Sequence, residues 1–313
     1  MTEKDYRRIL QDKQIKYRAS LNLPRDITFG VEIEYENVLN ELVTMLLEEE
    51  THNNPNFYDW INKKEIDLSV RNKNKQLMNG EINSPVLIDN IRNWKNLRTA
   101  LNILNKSNAI ITSQCGSHVN IGAHVLGYNT EYWRNFLLLW ILYEKEIYKF
   151  SCGEFSNIRI REDSVIDRIG PSIKKHLDLI IELGKSNGDI KIYDYLEKSG
   201  LVILDKSHDI SFFNFLGPNF DKDNRIEFRI PNGTLKEEIW QNYINFFAKF
   251  LIACRKELDV DKTIYFIKNN EHSVLGLADY IFEDNIDKDN FLIQTLKTNK
   301  IYKKELLPHI EEY

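Results

Sequence analysis

Ionisable side chains recur at every second position in three short segments of the chain. In the first segment, Glu32 and Glu34 alternate with the apolar residues Val31, Ile33 and Tyr35. An alternation of period two predicts a β-strand with one polar and one apolar face. The two glutamate Cα atoms would lie about 6.5 Å apart, near enough for both carboxylates to bind neighbouring divalent ions. A solvent-facing strand that carries glutamate only for solubility is the other interpretation, and the pair alone does not decide between them.

The second segment, residues 116–124, places His118 and Asn120 on one face of a predicted strand. Neutral imidazole is a common metal ligand, and a half-buried histidine that only completes local hydrogen bonds is the alternative. Glu81 offers a third carboxylate, either as a ligand at the end of a strand or as a turn residue before Pro85. Oxygen ligands combined with one imidazole favour Mg²⁺ or Mn²⁺ over zinc.

The third segment, residues 224–230, carries Arg225, Glu227 and Arg229 on one face. Two guanidinium groups that flank a carboxylate usually form a structural ion pair on a sheet surface. Near a nucleotide and clustered carboxylates, they would instead bind phosphate oxygens bidentately. If the three strands share one sheet, their polar faces converge on a single site.

The elements around these strands are predicted to be mainly helical. Thr234 and Glu237 have the spacing of a capping box for a helix that runs to about Leu258. Residues 151–171 are predicted to form a loop, either a functional lid or a surface connection. Other predicted helices cover 2–20, 39–50, 91–105, 132–150, 173–183, 193–198 and short charged stretches beyond 259. Other predicted strands lie between 58 and 85, where the polar loop 71–76 interrupts them, and over 210–216.

Composition narrows the class of protein. A chain of 313 residues with 42% hydrophobic residues can bury a large core, which excludes a disordered chain or a disulfide-stapled miniprotein. The net charge of -5 provides no basic surface for nucleic acid or for an anionic membrane. The N-terminal residues lack the apolar stretch of a signal peptide, and the apolar run 136–142 is too short to cross a bilayer. We therefore expect a cytoplasmic protein with no nucleic-acid or membrane partner.

The sequence lacks the motifs that mark several classes of enzyme. It contains no G-x-x-x-x-G-K-[ST] phosphate loop, no G-x-G-x-x-G fingerprint, no G-x-S-x-G nucleophile elbow and no H-E-x-x-H zinc helix. Cys115 and His118 would point to opposite faces of an extended strand, which argues against a cysteine nucleophile activated by histidine.

Four motifs together resemble the bacterial amidoligase family. This family belongs to the carboxylate-amine ligase superfamily, which includes glutamine synthetase and glutamate-cysteine ligase. Each motif alone has low specificity, but all four lie in the family's order and spacing, and the resemblance covers residues 28 to about 250. The motifs are FGVEIE at 29–34, GEINSPV at 80–86, CGSHVNIG at 115–122 and RIEFRIPNGT at 225–234.

The resemblance implies an α+β fold in which an antiparallel sheet curves into a half-barrel, as in glutamine synthetase, with surrounding helices. The catalytic domain would cover residues 27–258. Residues 1–26 would form an N-terminal helical extension, and residues 259–313 would form a C-terminal helical appendage.

The same resemblance implies roles for individual residues. The family's metal-binding positions match Glu32, Glu34, Glu81, His118 and Glu227, and its nucleotide-binding positions match His118, Asn120, Arg225 and Arg229. Arg229 would contact the transferring phosphate and act in catalysis with Glu227.

Two positions depart from the family's pattern. Asp67 and Ser69 resemble the Asp-Gly-Ser element near the amine site, where Asp67 would accept a proton from the amine, but Leu68 replaces the usual glycine. Asn120 stands where the family often has a second histidine, and its amide can still donate a hydrogen bond.

The implied activity is an ATP- and Mg²⁺-dependent (or Mn²⁺-dependent) ligation of a carboxylate to an amine through an acyl phosphate. Its substrates would be a small-molecule or peptide carboxylate and an amine, and an oligomer is compatible with the sequence. The alternatives are a phosphotransferase of the same superfamily and a catalytically silent module that binds nucleotide or peptide.

Overall fold

The computed structural model describes residues 3–10, 12–63, 78–112, 115–153, 160–161, 164–165, 174–186, 210–213 and 225–301. Within these ranges the helices are α1 Glu3–Leu10, α2 Asn40–Asn53, α3 Ile91–Lys106, α4 Thr130–Ser151, α5 Leu177–Lys185, α6 Glu237–Ala253, α7 Val260–Asn269, α8 Val274–Ile281 and α9 Asn285–Ile301. The strands are β1 Thr28–Glu36, β2 Ile61–Asn62, β3 Asn79–Asn83, β4 Leu87–Ile88, β5 Ser117–Gly122, β6 Ile160–Arg161, β7 Ser164–Val165, β8 Ile210–Phe213 and β9 Arg225–Phe228.

One open antiparallel sheet organises the fold. Its strands follow the order β2-β3-β1-β5-β9-β8, and β4 pairs with the first residues of β1. The predicted α+β class and the antiparallel sheet are therefore confirmed. The half-barrel curvature of glutamine synthetase stays a prediction.

The apolar face of the sheet forms the core together with helices α3, α4 and α6. Phe29 of β1 stacks on Trp94 of α3 with ring centroids 5.3 Å apart. Phe228 of β9 stacks on Trp140 of α4 at 5.8 Å and on Phe247 of α6 at 4.2 Å. Burial of each such side chain stabilises the fold by roughly 1.5–3 kcal/mol. The helices cover this face, and the ionisable side chains of β1, β5 and β9 lie on the opposite face.

The prediction of one helix over residues 2–20 is wrong. Helix α1 ends at Leu10, and the described residues from 12 to 20 form no helix. The side-chain amide of Asn290 binds both the N–H and the C=O of Lys16, at 2.9 Å each. Gln241 binds the backbone of Arg18 in the same way, at 2.7 and 2.8 Å. These side chains replace the hydrogen bonds that a helix would supply.

The predicted capping box is also wrong. Helix α6 begins at Glu237 with Lys236 as its N-cap residue, and no side chain caps it. The Thr234 hydroxyl accepts from the Lys236 N–H at 3.0 Å, and the Glu237 carboxylate instead accepts from Arg98 at 2.6 Å. The helix ends at Ala253, short of the predicted end.

Several predictions lie outside the described residues: the loop 71–76, the helix over 193–198, and most of the segment 151–171, of which β6 and β7 are described as a paired hairpin. In the segment predicted as an appendage, Phe291 of α9 contacts Phe150 at 5.0 Å and Phe246 at 5.2 Å between ring centroids. The predicted domain boundaries stay predictions.

Among the described helices, none combines the length and the apolar character needed to cross a membrane.

Candidate active site

The strand register brings the chemically active side chains onto the polar face of the sheet. Directly opposed residues on neighbouring antiparallel strands point to the same face and lie within contact distance. The central strand β1 therefore shares its polar face with β3 and β5, and β5 shares the same face with β9. The facing pairs are Glu34 with Glu81, Glu32 with His118, Asn120 with Glu227, and Gly122 with Arg225.

These side chains are buried although most of them are ionisable. The exposed fraction is 0% for Glu34, 1% for His118 and Glu227, 3% for Glu81 and 9% for Glu32. A buried charge is costly unless it is paired or binds a metal. A solubility role, the alternative considered for these glutamates, requires exposure and does not fit this burial.

His118 lies at the centre of the carboxylates. Its Nδ1 is 3.1 Å from Glu32 Oε2 and 3.5 Å from Glu227 Oε1, and its Nε2 is 3.3 Å from Glu34 Oε1. Potential ligand atoms of Glu32, His118 and Glu227 all lie within 4.8 Å of one another. Two oxygens and one imidazole at this separation can bind one divalent ion after small side-chain adjustments.

Lys63 lies at the edge of the acidic cluster, which comprises Glu32, Glu34, Glu81, His118 and Glu227. The sequence analysis did not identify this lysine. Its Nζ is 2.5 Å from Glu81 Oε1 and 3.9 Å from Glu32 Oε2, so one ammonium group bridges two of the carboxylates. The residue directly follows β2, and its N–H donates to the Glu81 carbonyl at 2.9 Å. No sequence pattern marks it, because β2 has only two residues.

The carboxylates have altered proton affinities. Burial, together with the negative charge of Glu32, raises the pKa of Glu81 to about 8, although Lys63 acts in the opposite direction. The pKa of Glu32 is lowered: burial alone would raise it, but the hydrogen bond and charge of His118 outweigh burial. Such perturbed groups are typical of functional sites.

One backbone and one side-chain hydrogen bond hold acidic side chains of β1 in place. Glu34 Oε2 accepts from the Gly116 N–H at 2.6 Å. Glu36, on the same face of β1, accepts from the Thr112 hydroxyl at 2.8 Å. Residues just before β5 therefore fix two of the acidic side chains of β1.

Arg229 lies at the β9 side of the cluster, only 6% exposed. Its Nη1 donates to Glu227 Oε1. Its Nε has no acceptor among the described residues. The guanidinium group is therefore anchored at one end and retains a donor for a ligand oxygen.

Asn120 connects the acidic cluster to Arg225. Its Nδ2 donates to Glu32 Oε1 at 3.1 Å, and its Oδ1 accepts from Arg225 Nε at 2.9 Å. Arg225 thus lies beside Asn120, whereas Arg229 lies beside Glu227.

The donor set fits Mg²⁺ or Mn²⁺. Four buried carboxylates face two neighbouring cationic side chains, Lys63 and Arg229, so the described site has an excess of negative charge that a divalent ion would neutralise. Oxygen ligands with a single imidazole are also the set that these ions prefer over zinc. The predicted roles of Asp67 and Ser69 lie outside the described residues.

Comparison with known proteins gives one informative match. A search of curated proteins finds no match to this chain. A family model described as "Putative amidoligase enzyme" matches residues 25–251, which include every described residue of the acidic cluster. Because this match covers most of the chain, the protein belongs to the amidoligase family.

Proposed function

We propose that this protein is an ATP- and Mg²⁺-dependent ligase that joins a carboxylate to an amine through an acyl phosphate. The observation that supports this proposal most strongly is the cluster of buried carboxylates around His118, with Arg229 at its edge. Amide formation from a carboxylate needs activation by phosphoryl transfer, and that transfer needs positive charge around the phosphate oxygens.

Two groups of ligands are available for divalent ions. Glu32, His118 and Glu227 would hold one ion, and Glu34 with Glu81 would supply oxygen ligands for a neighbouring one. Ions at these positions would neutralise the charge of the nucleotide phosphates.

Arg229 would bind the transferring phosphoryl group. Its salt bridge to Glu227 fixes the orientation of the guanidinium group, and the Nε donor without an acceptor among the described residues suits a phosphate oxygen. Glu227 would thus act both as a metal ligand and as the group that positions Arg229. Asn120 would orient Glu32 through its hydrogen bond.

The proposed reaction has two steps. A carboxylate oxygen of the acid attacks the γ-phosphorus of ATP, the bond to the β,γ-bridging oxygen breaks, and ADP leaves. The amine then attacks the acyl carbon, phosphate leaves with the bonding electron pair, and the amine loses a proton to a base. Asp67 is the proposed base, on the family resemblance described above.

Hydroxylamine provides a test that needs no knowledge of the natural amine. It would attack an acyl phosphate and give a hydroxamate, so hydroxamate, ADP and inorganic phosphate should form in equal amounts when ATP, Mg²⁺ and a suitable carboxylic acid are present. The acids to test first are glutamate, glutarate and short acidic peptides. The Glu227→Gln variant should form none of the three products, and a Glu49→Gln variant, altered on the exposed surface of α2, should match the unmodified protein.

Other products would contradict this proposal. ADP that forms without inorganic phosphate, and only when a guanidino acceptor is present, would indicate a phosphotransferase. ATP binding without turnover of any acid or acceptor would indicate a catalytically silent module.

A further inference from the structure

A pocket lies between helix α3 and the segment 54–56 that follows α2. Its volume is about 450 Å³. None of the described residues that line it belongs to the sheet or to the acidic cluster. This pocket is therefore separate from the proposed active site.

One side of α3 supplies most of the lining. Arg92, Lys95, Asn96 and Thr99 recur at intervals of three and four residues, so they lie along the same side of the helix. The other side of α3 packs on the sheet through the aromatic stack described above. The side that faces the pocket thus carries two cations and two hydrogen-bonding side chains.

The pocket is cationic although the chain as a whole is acidic. Arg92 and Lys95 line it, and no acidic side chain is among the described lining residues. Glu50 lies beside the lining residue Asn54, where it accepts from Asn54 Nδ2 at 2.9 Å, but it does not line the pocket itself. Because the net charge of the chain is -5, two cations without a lining carboxylate mark a local site that attracts anions.

An aromatic ring holds Arg92 in position. The guanidinium carbon lies 5.0 Å from the centroid of the Tyr58 ring, which is a cation–π contact. A stacked guanidinium group keeps the N–H donors at its edge for the two oxygens of a carboxylate or a phosphate. Arg92 is therefore oriented without the use of these donors.

The buried amide of Asn96 is an independent sign of a ligand. Asn96 is only 3% exposed, yet its Nδ2 has no hydrogen-bond partner among the described residues. A buried donor without an acceptor costs free energy. Because Asn96 lines the pocket, an acceptor oxygen placed there would remove this cost.

The volume of the pocket favours an organic molecule over a simple ion. Sites for small organic ligands have volumes of roughly 300–1,000 Å³, and this pocket lies within that range. Ile91 also lines it and is 59% exposed, so it offers an apolar contact to the body of a ligand.

We infer that this pocket binds a small organic molecule that carries a phosphate or a carboxylate group. The oxygens of that group accept from Arg92, Lys95 and the Nδ2 of Asn96, and the organic part contacts Ile91. Binding requires no divalent ion, because the acidic cluster takes no part in it. The inference does not depend on the proposed ligase function.

Isothermal titration with phenyl phosphate and benzoate, without divalent ions and at low ionic strength, tests this inference. Benzyl alcohol is the neutral probe of similar size, and it should not bind. Tighter binding of phenyl phosphate would identify a phosphate site, and tighter binding of benzoate would identify a carboxylate site. Arg92→Gln should weaken binding of the preferred anion at least about tenfold, as expected for loss of a charge-assisted pair. Lys106→Gln, an exposed position near the end of α3 outside the pocket, should bind as the unmodified protein does.

The Asn96→Leu variant distinguishes a donor for a ligand from an amide that supports the fold. Leucine has a similar size and removes a buried donor that has no partner among the described residues, so the free energy of unfolding should not fall. Affinity for the preferred anion should fall by about threefold or more, because one hydrogen bond is lost. Lower stability with unchanged affinity would show that Asn96 serves the fold alone and would contradict the inference.

Two further results would overturn the inference. The first is that neither anion binds at millimolar concentration, or that benzyl alcohol binds as tightly as the anions do. The second is that Arg92→Gln and Lys95→Gln bind the anion normally while Arg225→Gln does not, which would place the anion on the polar face of the sheet instead.

Discussion

Glu34 and Glu81 face each other across the β1–β3 pair, and both are buried. Like charges at directly opposed strand positions destabilise a sheet, and burial increases that cost. The arrangement is favourable only if one carboxylate holds a proton or if a cation lies between them. Burial and the charge of Glu32, with a smaller contribution from Glu34, raise the pKa of Glu81, which corresponds to the first solution, and binding of a divalent ion would provide the second.

The Glu81→Gln variant separates metal binding from folding. At pH 7 the Glu81 carboxyl, with its pKa near 8, is mostly protonated, and glutamine has the same shape without the charge. The unfolded chain, however, carries Glu81 ionised at pH 7, and glutamine removes the cost of protonating it, so the free energy of unfolding without metal should rise rather than fall in the variant. Mn²⁺ affinity should fall at least about tenfold, because one oxygen ligand loses its charge. Urea unfolding and Mn²⁺ titration measure the two effects, and unchanged Mn²⁺ affinity would remove Glu81 from the metal site.

Metal affinity should depend on pH. A metal ligand must be deprotonated, so an ion that binds below pH 8 displaces the proton of Glu81. Affinity for Mg²⁺ should rise with pH by up to about tenfold per unit below pH 8 and level off above it. Titrations between pH 6 and 9 test this expectation, and a flat profile would contradict it.

The same proton affects stability without metal. The folded-state pKa of Glu81 lies above its usual value, so the folded protein binds this proton more tightly than the unfolded chain. The contribution of Glu81 to stability is therefore present at low pH and is lost as the pH rises toward 8. In Glu81→Gln the corresponding decrease should be absent, which urea unfolding at pH 5 and pH 8 measures.

Removal of Lys63 should strengthen metal binding. Its ammonium group bridges Glu81 and Glu32 and so competes with a divalent ion for these oxygens. We expect Lys63→Met to raise Mn²⁺ affinity by about threefold, a modest factor because the lysine side chain is 41% exposed and its charge is partly screened. Lys95→Met, on the exposed face of α3, is the matched control. Weaker Mn²⁺ binding in Lys63→Met would show that the lysine supports the metal site.

The buried carboxylate of Asp287 should be the main polar contact that holds α9 against the rest of the protein. Asp287 is fully buried and forms ion pairs with Arg18 and Lys249 and a hydrogen bond with Asn245. Asp287→Asn leaves two cations without their partner and should destabilise the protein by about 3 kcal/mol. Asp289→Asn is the control, because its pair with Lys13 is exposed and should contribute less than about 1 kcal/mol. Equal effects in urea unfolding would contradict this account.

The polar faces of the three strands were predictable from sequence because side chains alternate with period two along a strand. The order of the strands and their register were not derivable from these patterns, because they depend on contacts between distant segments. Lys63 could not be identified for the same reason: it contacts Glu81 through the pairing of β2 with β3.

The two incorrect local predictions have a common physical cause. A helical pattern over residues 2–20 was overridden by the side-chain amides of Asn290 and Gln241, which bind the backbone between residues 16 and 18. The capping pattern at Thr234 was overridden because Arg98 takes the Glu237 carboxylate. Tertiary hydrogen bonds thus replaced local ones in both places.

Thermal unfolding with ATP and Mg²⁺, compared between the unmodified protein and Glu34→Gln, tests most directly whether the acidic face binds nucleotide and metal. Ligand at about 100 times its dissociation constant stabilises the folded state by roughly 2.7 kcal/mol, which should raise the unfolding midpoint by about 5 °C in a chain of this length. We predict this rise for the unmodified protein, only when both ATP and Mg²⁺ are present, and its loss in Glu34→Gln. No rise at saturating nucleotide, or the same rise in the variant, would contradict the central claim.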